Sequence, residues 1–524
     1  MSEIYISKVH CQNFRAFRDR QIDGLTSGVN ILVGDNDTGK STILLALDLV
    51  LRTSITNVQN YGLESLLSRD AVAEFLQKDD RAFDDLPVME IDLYLEGLKH
   101  HEYEGPHNLL RKESFGVCLV CRPRDDLHDE IVEIIKQKEC AFPFEYYSIE
   151  FKMFSGAPLT HFKRPLQHLN IDNTKISNDY ASRAYVRDVY RANTEETEKS
   201  LHQIKYRQAK LDFASSQFEM LNKKLDPGTT FAVKSNSREN LESDLTIKFR
   251  DIDIENLGMG MQCFIRTSFA LSRKSSIDVV LLEEPENHLS QVNMKKLIDQ
   301  IAGVSKSQVF IATHSSYICS RLDLRKAILF GSPKEKPLRL KDIPEETAEF
   351  FMKAPHNSLL DFIQAPRVIL VEGDAEYMLI APLYQATTGA EIEAGDVIVI
   401  SVGGISFPRY LDVAKLLKNR VAVITDNDGD PESPRLERYR GYATEGNIAI
   451  FCDPDAARTT LEVCVYQDNK ALCDTIFGSS RRKQTVEQYM LSNKSDAAFQ
   501  LTKQTSSILV SPSYIKDAIT WIRS

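Results

Sequence analysis

The chain has 524 residues, 42% hydrophobic and 27% charged, with 64 Lys and Arg against 75 Asp and Glu for a net charge of −11. No apolar run approaches a membrane span, and MSEIYISKVH lacks the basic start and apolar core of a secretory signal, so a cytoplasmic protein of roughly two to four domains without membrane partners is expected. The acidic balance excludes bulk attraction to nucleic acid and leaves it only a local basic groove, and the nine cysteines are scattered: Cys118 and Cys121 have no second pair to complete a zinc site and are expected to be core or surface thiols.

Ile4 to Arg20 alternates like an edge strand and turns through Asn13, Phe14 and Arg15. Val29 to Leu47, VNILVGDNDTGKSTILLAL, then runs from an apolar strand through a glycine loop into an amphipathic helix. The spacing G-x-x-x-x-G-K-S lets the backbone approach phosphates closely, aims N–H groups at them and sets them at the positive end of a helix dipole. Gly34, Asn36, Gly39, Lys40, Ser41 and Thr42 are therefore expected to hold ATP, with Lys40 at the β- and γ-phosphates and Ser41 at Mg²⁺. The first strand, N-F-R and this loop together resemble the start of the ABC-type ATPases of DNA repair, the RecF and SMC kind. Asp37 stands where many of those proteins have glycine.

Pro87 to Leu95 and Phe144 to Phe154 alternate as strands of an antiparallel layer beside the nucleotide core. From about Asn178 to Leu225 the chain reads as helix, its later part free of Gly and Pro over roughly 50 Å. That is too short for long coiled-coil arms, and suits a packed insertion or a self-association element. Asn256 to Ser272 carries Gly258-x-Gly260-x-Gln262 before a helix. By resemblance to the same ATPases this is the signature segment that caps the γ-phosphate of ATP held by a second subunit. Its L-S-G-G-Q is degenerate, which points to slow or regulatory turnover.

Ile277 to Leu282 is a continuous apolar run of the buried parallel type, followed by EEPENHLS. The resemblance places Glu283 at the Mg²⁺-associated acid and Glu284 at the base that activates the attacking water. Gln308 to Ala312 is a further strand, and His314 directly after it matches the histidine that senses the γ-phosphate. Loop, signature, Glu-Glu and histidine in this order imply a head-to-tail ATP sandwich, hence a homodimer or tetramer.

A charged, proline-punctuated connector between about Phe330 and Gln364 precedes a new α/β unit. Arg367 to Val371 is a buried strand delivering Glu372-Gly373-Asp374-Ala375-Glu376; Val397 to Val402 ends in Gly403-Gly404, and Val421 to Thr425 ends in Asp426-Asn427-Asp428. Three apolar strands ending in acid or glycine suit a hard cation at the carboxyl edge of a parallel sheet. Glu372, Asp426 and Asp428 fit Mg²⁺ or Mn²⁺, and Glu376 makes enough carboxylates for two metals roughly 4 Å apart, the clamp used for phosphodiester hydrolysis.

E-G-x-x-E, G-G and D-x-D together resemble the Toprim domain of topoisomerases, primases and some nucleases. An ABC ATPase followed by Toprim is the arrangement of the OLD-family nucleases, and the chain resembles them along nearly its whole length; the family includes antiphage effectors such as the nuclease of Gabija systems. The resemblance implies that Glu462, in Thr460-Leu461-Glu462, joins the metal site, that Cys464 replaces the family's downstream aspartate, and that Lys494 stabilises developing phosphate charge. Arg435, Arg438, Arg440 and Arg481-Arg482-Lys483 are the candidates for DNA backbone contact.

The expected architecture is α/β: an ABC/RecF-like ATPase domain with a helical insertion, then a Rossmann-like Toprim domain. Residues 1–160 and 246–345 would form the ATPase, 161–245 the insertion and 346–524 the Toprim domain with a helical tail. The expected function is a metal-dependent DNA endonuclease or nickase gated by ATP, with a partner protein or RNA from the same defence system as a further partner. The alternative is a RecF-like ATP-dependent DNA clamp; a topoisomerase would need a catalytic tyrosine in a separate domain.

Overall fold

The computed structural model describes residues 4–35, 37–137, 141–172, 179–226, 228–234, 241–271, 277–304, 306–331, 337–354, 358–404, 406–432, 439–442, 444–478, 484–503 and 509–524. It divides into two compact units, Met1–His314 with Ile328–Pro337, and Ser315–Ala327 with Leu338–Ser524. No helix among the described residues is long and apolar enough to cross a membrane.

In the first unit, strands β1 (Tyr5–Phe14), β2 (Phe17–Ile22) and β3 (Val29–Gly34) lead into helix α1 (Lys40–Arg52). Strands β4 (Met89–Glu96), β5 (Ser114–Pro123), β6 (Tyr147–Met153) and β7 (His168–Asp172) follow, then helices α2 (Asp179–Ala192), α3 (Glu196–Gln217) and α4 (Met259–Ala270). Strands β8 (Val279–Glu283), β9 (Gln308–Thr313) and β10 (Ala327–Phe330) complete the framework.

An antiparallel sheet has the order β2-β1-β4-β5-β6, and a second sheet the order β10-β3-β9-β8-β7, in which β3, β9, β8 and β7 are parallel. Helix α1 is apolar on nearly every side because it packs between the two sheets: Leu44, Leu47 and Leu51 share one core with Ile91, Leu119 and Phe310.

Two expectations for the insertion are corrected here. Residues 168–172 are not helical: Leu169 and Ile171 alternate with polar neighbours, and this two-residue period makes the segment a strand beside β8. The long helix is also broken. Asn193 Nδ2 donates to Val189 O at 2.7 Å and Thr194 Oγ1 to Tyr190 O at 2.7 Å, so side chains take the carbonyls that the next turn of backbone would use. The Glu198 carboxylate then accepts from Glu195 N–H at 3.1 Å and starts α3 anew, a 22-residue helix of roughly 33 Å.

The second unit contains β11 (Arg367–Val371), α5 (Asp374–Thr388), β12 (Val397–Ser401), α6 (Phe407–Leu417), β13 (Arg420–Ile424) and β14 (Ile448–Phe451). Helices α7 (Leu461–Asp468), α8 (Lys494–Thr502) and α9 (Ser513–Arg523) close it. The sheet order is β12-β11-β13-β14 with every pair parallel. From β11 the chain crosses to one side and from β13 to the other, so the carboxyl ends of these two strands flank a topological switch point. Helix α8 packs on α5, and α9 on β13 and β14.

Candidate functional site

Two sites stand at strand ends, one in each unit. In the first, β3 delivers the glycine loop to α1. A Cβ on Gly34 would lie 2.3 Å from Phe330 O, and one on Gly39, at φ 98°, 2.3 Å from the Phe17 ring, so both positions require glycine. Asp37 takes φ 62°, a left-handed conformation that glycine adopts freely and aspartate tolerates, which explains how the loop keeps its course without the family's glycine. Lys40 is buried and its Nζ donates to Gly34 O at 2.7 Å and Asp35 O at 2.6 Å; burial lowers its pKa. Ser41 is exposed and Thr42 buried in the first turn of α1. Asn36 lies outside the described residues.

Beside the loop, β8 ends in Glu283, and Glu284 follows at φ 48° with its N–H on Ala312 O at 2.9 Å. His314 Nε2 lies 3.1 Å from Glu284 Oε1. Burial raises the Glu284 carboxyl and lowers His314, so each is pushed toward its neutral form and the contact is a hydrogen bond more than an ion pair. A half-buried residue that sequence reading left out fixes this corner: Glu286 Oε1 accepts from Thr313 Oγ1 at 2.5 Å and from His314 N–H at 3.1 Å. Arg15 was also left without a role; it is half-buried, and the charge of Glu283 acts on it. Both are within motifs already noticed, but only the fold puts them against the site.

The signature segment is folded inward. Gly258 precedes α4, and a Cβ on Gly260 would lie 2.1 Å from His288 O, just past the Glu-Glu turn. Gln262 is buried, its amide donating to Leu257 O at 2.8 Å and Glu255 O at 3.2 Å and accepting from Arg266 at 3.1 Å. Its side chain thus secures the turn of its own chain.

In the second unit, Glu372 follows β11 and Asp426 follows β13, on either side of the switch point. Thr425 Oγ1 and the Asp426 N–H both donate to Glu372 Oε1, at 2.5 and 3.2 Å. The first turn of α7 donates Leu461 N–H to Asp426 Oδ1 at 2.9 Å and carries Glu462, which is 3% exposed. Glu376 sits buried in the first turn of α5, and α8 brings Lys494 Nζ to 3.1 Å from Glu462 Oε2. Burial, then Glu372, Glu376 and Glu462, push the Asp426 carboxyl up to about 7, and burial raises Glu376 as well.

Glu372, Glu376, Asp426, Glu462 and Lys494 are therefore brought together. Asp428 is exposed on the following turn at φ 47°, bonded through its N–H to Thr459 O, and is not among the principal charges acting on Asp426. Cys464 is buried, and its thiol faces Asp453 Oδ2 at 3.6 Å, while Arg458 ties Asp453 to Asp468. Arg440 is exposed; Arg435, Arg438, Arg481, Arg482 and Lys483 lie outside the described residues.

Residues 4–153 and 159–319, more than half of the chain, match the family described as AAA ATPase domain, and residues 364–428 match the TOPRIM domain of overcoming lysogenization defect (OLD) protein-like chains. The chain belongs to the AAA ATPase domain family and carries an OLD-like TOPRIM domain. Over 127 residues it is 26% identical to the structural maintenance of chromosomes protein 3 homolog of Plasmodium falciparum (isolate 3D7), covering 22% of this chain and only 11% of that relative. The C-terminal region of the Burkholderia pseudomallei OLD protein aligns with 30% of this chain and 97% of its own, at 20% identity and a TM-score of 0.24. The Pyrococcus furiosus Smc head domain with an extended coiled coil, bound to the C-terminal domain of ScpA, aligns with 67% of this chain and 99% of its own, at 15% identity and a TM-score of 0.37.

An OLD-type ATPase and Toprim pair supports a nuclease that carries an ATPase, with ATP and a divalent metal as its cofactors. The side chains fit both. Gly34 and Gly39 keep a cradle that any Cβ would fill, with Lys40 inside it. At the Toprim site the donors are hard carboxylate oxygens, Glu462 Oε1 has no hydrogen-bond partner, and Lys494 is the cation on hand. No three of these carboxylates offer oxygens all within 4.8 Å of one another, so without a cation the acids stand farther apart than a closed ligand set.

Proposed function

We propose that this chain is a DNA endonuclease or nickase whose Toprim site cuts with Mg²⁺ or Mn²⁺ and whose ATPase domain gates it, working in antiphage defence. The observation that carries the reading is the gathering of Glu372, Asp426, Glu376 and Glu462, from two strand ends and two helices, around a switch point with one lysine at its edge. A binding-only domain has no use for four converging carboxylates and a charge-stabilising lysine.

Glu372, Asp426, Glu376 and Glu462 would hold the cations, with Asp428 at the rim. When bound, such ions supply positive charge to the attacking and leaving oxygens of a phosphodiester. The chain's own groups do the rest. Thr425 and the Asp426 N–H fix the Glu372 carboxylate, the α7 N-terminus fixes Asp426, and Lys494 places an ammonium where a scissile phosphate gathers charge. Arg440, exposed beyond the D-x-D turn, is placed to meet the DNA backbone.

In the ATPase domain, Lys40, now on its loop carbonyls, would hold the phosphates of bound ATP, and Ser41 would hold the cation that accompanies it. Glu284 Oε1 takes the proton of the attacking water, with His314 holding that carboxyl in place. Two chains meeting head to tail would bring the α4 signature of one to the nucleotide of the other, giving a homodimer or a tetramer of such pairs.

The test is cleavage of supercoiled plasmid by the full chain with Mg²⁺ or Mn²⁺, with and without ATP, beside Glu372→Gln and Lys40→Ala. Nicked or linear product from wild type and none from Glu372→Gln is expected, with Lys40→Ala revealing the sign of the ATP effect. Equal cutting by wild type and Glu372→Gln would overturn the assignment.

A further inference from the structure

Along β4 the side chains alternate between two faces. Ile91 and Leu93 join the core around α1, while Glu90, Asp92 and Tyr94 point the other way, together with Cys118 of β5. Asp92 stands directly across the ladder from Cys118 on one side and from His10 of β1 on the other. One carboxylate oxygen of Glu90, one of Asp92 and the Cys118 sulfur all lie within 4.8 Å of one another. Among the described residues this is the only set of three metal-ligating side chains drawn so close, tighter than the acids of the Toprim site.

We propose that Glu90, Asp92 and Cys118 form a structural site for a borderline-soft divalent cation, with zinc as the ion that suits it. Two orphaned atoms point to a missing partner. Asp92 is fully buried; its Oδ2 accepts from Leu109 N–H at 2.7 Å and Tyr94 O–H at 3.3 Å, whereas Oδ1 accepts no hydrogen bond. His10 is also buried, and its Nδ1 has no partner. Its Nε2 lies 2.5 Å from Asp19, the carboxylate–histidine pairing that fixes the ring of a metal-bound histidine. The His10 ring nitrogens lie outside the three-atom set, so this residue, whose charge acts on Glu90, is a neighbour of the site and not one of its ligands.

The donor chemistry selects the ion. Two carboxylates and a thiol, with an imidazole beside them, are ligands for zinc and not for Mg²⁺, which prefers oxygen alone. Ligand atoms around a tetrahedral zinc ion sit roughly 3.3–3.8 Å apart, so the set needs only a small contraction. The lysine opposite Cys118, Lys152, is engaged by Glu150 while its charge still acts on the half-buried Glu90, and the fully buried Asp92 also meets the charge of Glu90. On binding, the Cys118 thiol gives its proton to solvent and the sulfur becomes the ligand, with no change of oxidation state. The ion would pin β4 to β5 within the antiparallel sheet.

The test is to strip the purified full chain with a chelator, add Co²⁺, and record the near-ultraviolet band that only thiolate-to-cobalt charge transfer gives. Wild type and Asp426→Asn are expected to show the band, to lose it when Zn²⁺ displaces the cobalt, and to bind about one equivalent at this site. Cys118→Ala is expected to lack it. No band in wild type, or a band that survives Cys118→Ala, would overturn the proposal. Should Cys118→Ala not fold, X-ray absorption of zinc-loaded wild type decides alone: one sulfur among oxygen and nitrogen neighbours supports the site, and a shell with no sulfur or with several sinks it.

Discussion

The two sites meet opposite electrostatic problems. In the ATPase domain Lys40 is buried on its own loop carbonyls, and Glu284 and His314, each pushed toward its neutral form by burial, meet in one contact. That site is satisfied as it stands, and its ligand must displace internal contacts. At the Toprim site four acids face one lysine, and burial, then the neighbouring acids, have raised Asp426 to about 7. This site is left in want of positive charge. A nucleotide site can be held in reserve by its own side chains, whereas a cation site shows itself by charge its protein does not offset.

The sharpest way to break the contrast is to remove one charge from each side. Asp426→Asn is expected to cut DNA cleavage by about a thousandfold, since it removes the charge of a proposed cation ligand while the amide oxygen can still accept from Leu461 N–H. Because it also relieves repulsion with Glu372 and Glu376, thermal melting without metal should be unchanged or higher. Lys40→Ala is expected to abolish ATP binding, read by nucleotide titration, while leaving divalent-cation binding to the Toprim site intact. A Toprim site that loses its cation affinity in Lys40→Ala would contradict the independence of the two.

Next in size is Gly260→Ala. Its new Cβ would meet a backbone oxygen, His288 O at 2.1 Å, which cannot move as a side chain tip can. A loss of about 1–3 kcal/mol in denaturant unfolding of the ATPase domain is expected, with no effect from Gly258→Ala, where a Cβ meets open space. Glu286→Gln is milder still. The amide oxygen can go on accepting from Thr313 and His314, so folding should hold, but the corner loses its charge and ATP turnover should fall by about ten- to a hundredfold with little change in nucleotide affinity.

What the sequence made legible was whatever chemistry is contiguous. The glycine loop, the Glu-Glu turn and the acids closing β11 and β13 each occupy a few successive residues at a strand end, so periodicity and spacing were enough to find them. Glu462 and Lys494 needed the family resemblance, because helices α7 and α8 bring them to the acids from far along the chain. Glu286 was written inside a recognised motif, yet only the register of β8 beside β9 sets it against Thr313. The β7 strand was missed since five alternating residues next to a long helical stretch carry a weak signal, and the α2–α3 break was missed since Asn193 and Thr194 act through their own carbonyl contacts without a Gly or Pro to announce it. Cys118 and Cys121 are buried free thiols, as expected from their lack of a second pair, and only the ladder between β4 and β5 sets Cys118 beside Glu90 and Asp92.

One pH window ties stability to function. The Asp426 carboxyl has an ordinary value of 3.8 when the chain is unfolded and about 7 in the fold. Between those values the folded chain holds a proton that the unfolded chain gives up. Without metal, stability should therefore be greatest at the acid end of this window and fall as pH rises through it, by at most ~1.4 kcal/mol per pH unit from this group. Cation affinity should run the other way, because the ion must expel that proton: Mn²⁺ binding should weaken about tenfold for each pH unit below 7 and level off above it. Calorimetric titration with Mn²⁺ alongside melting of the metal-free chain, both across this window, should give two curves of opposite slope. Asp426→Asn should flatten both, leaving only the shallower trend that Glu376 contributes. Parallel slopes, or an unchanged Mn²⁺ slope in Asp426→Asn, would mean that the acids around the switch point are not the cation's ligands.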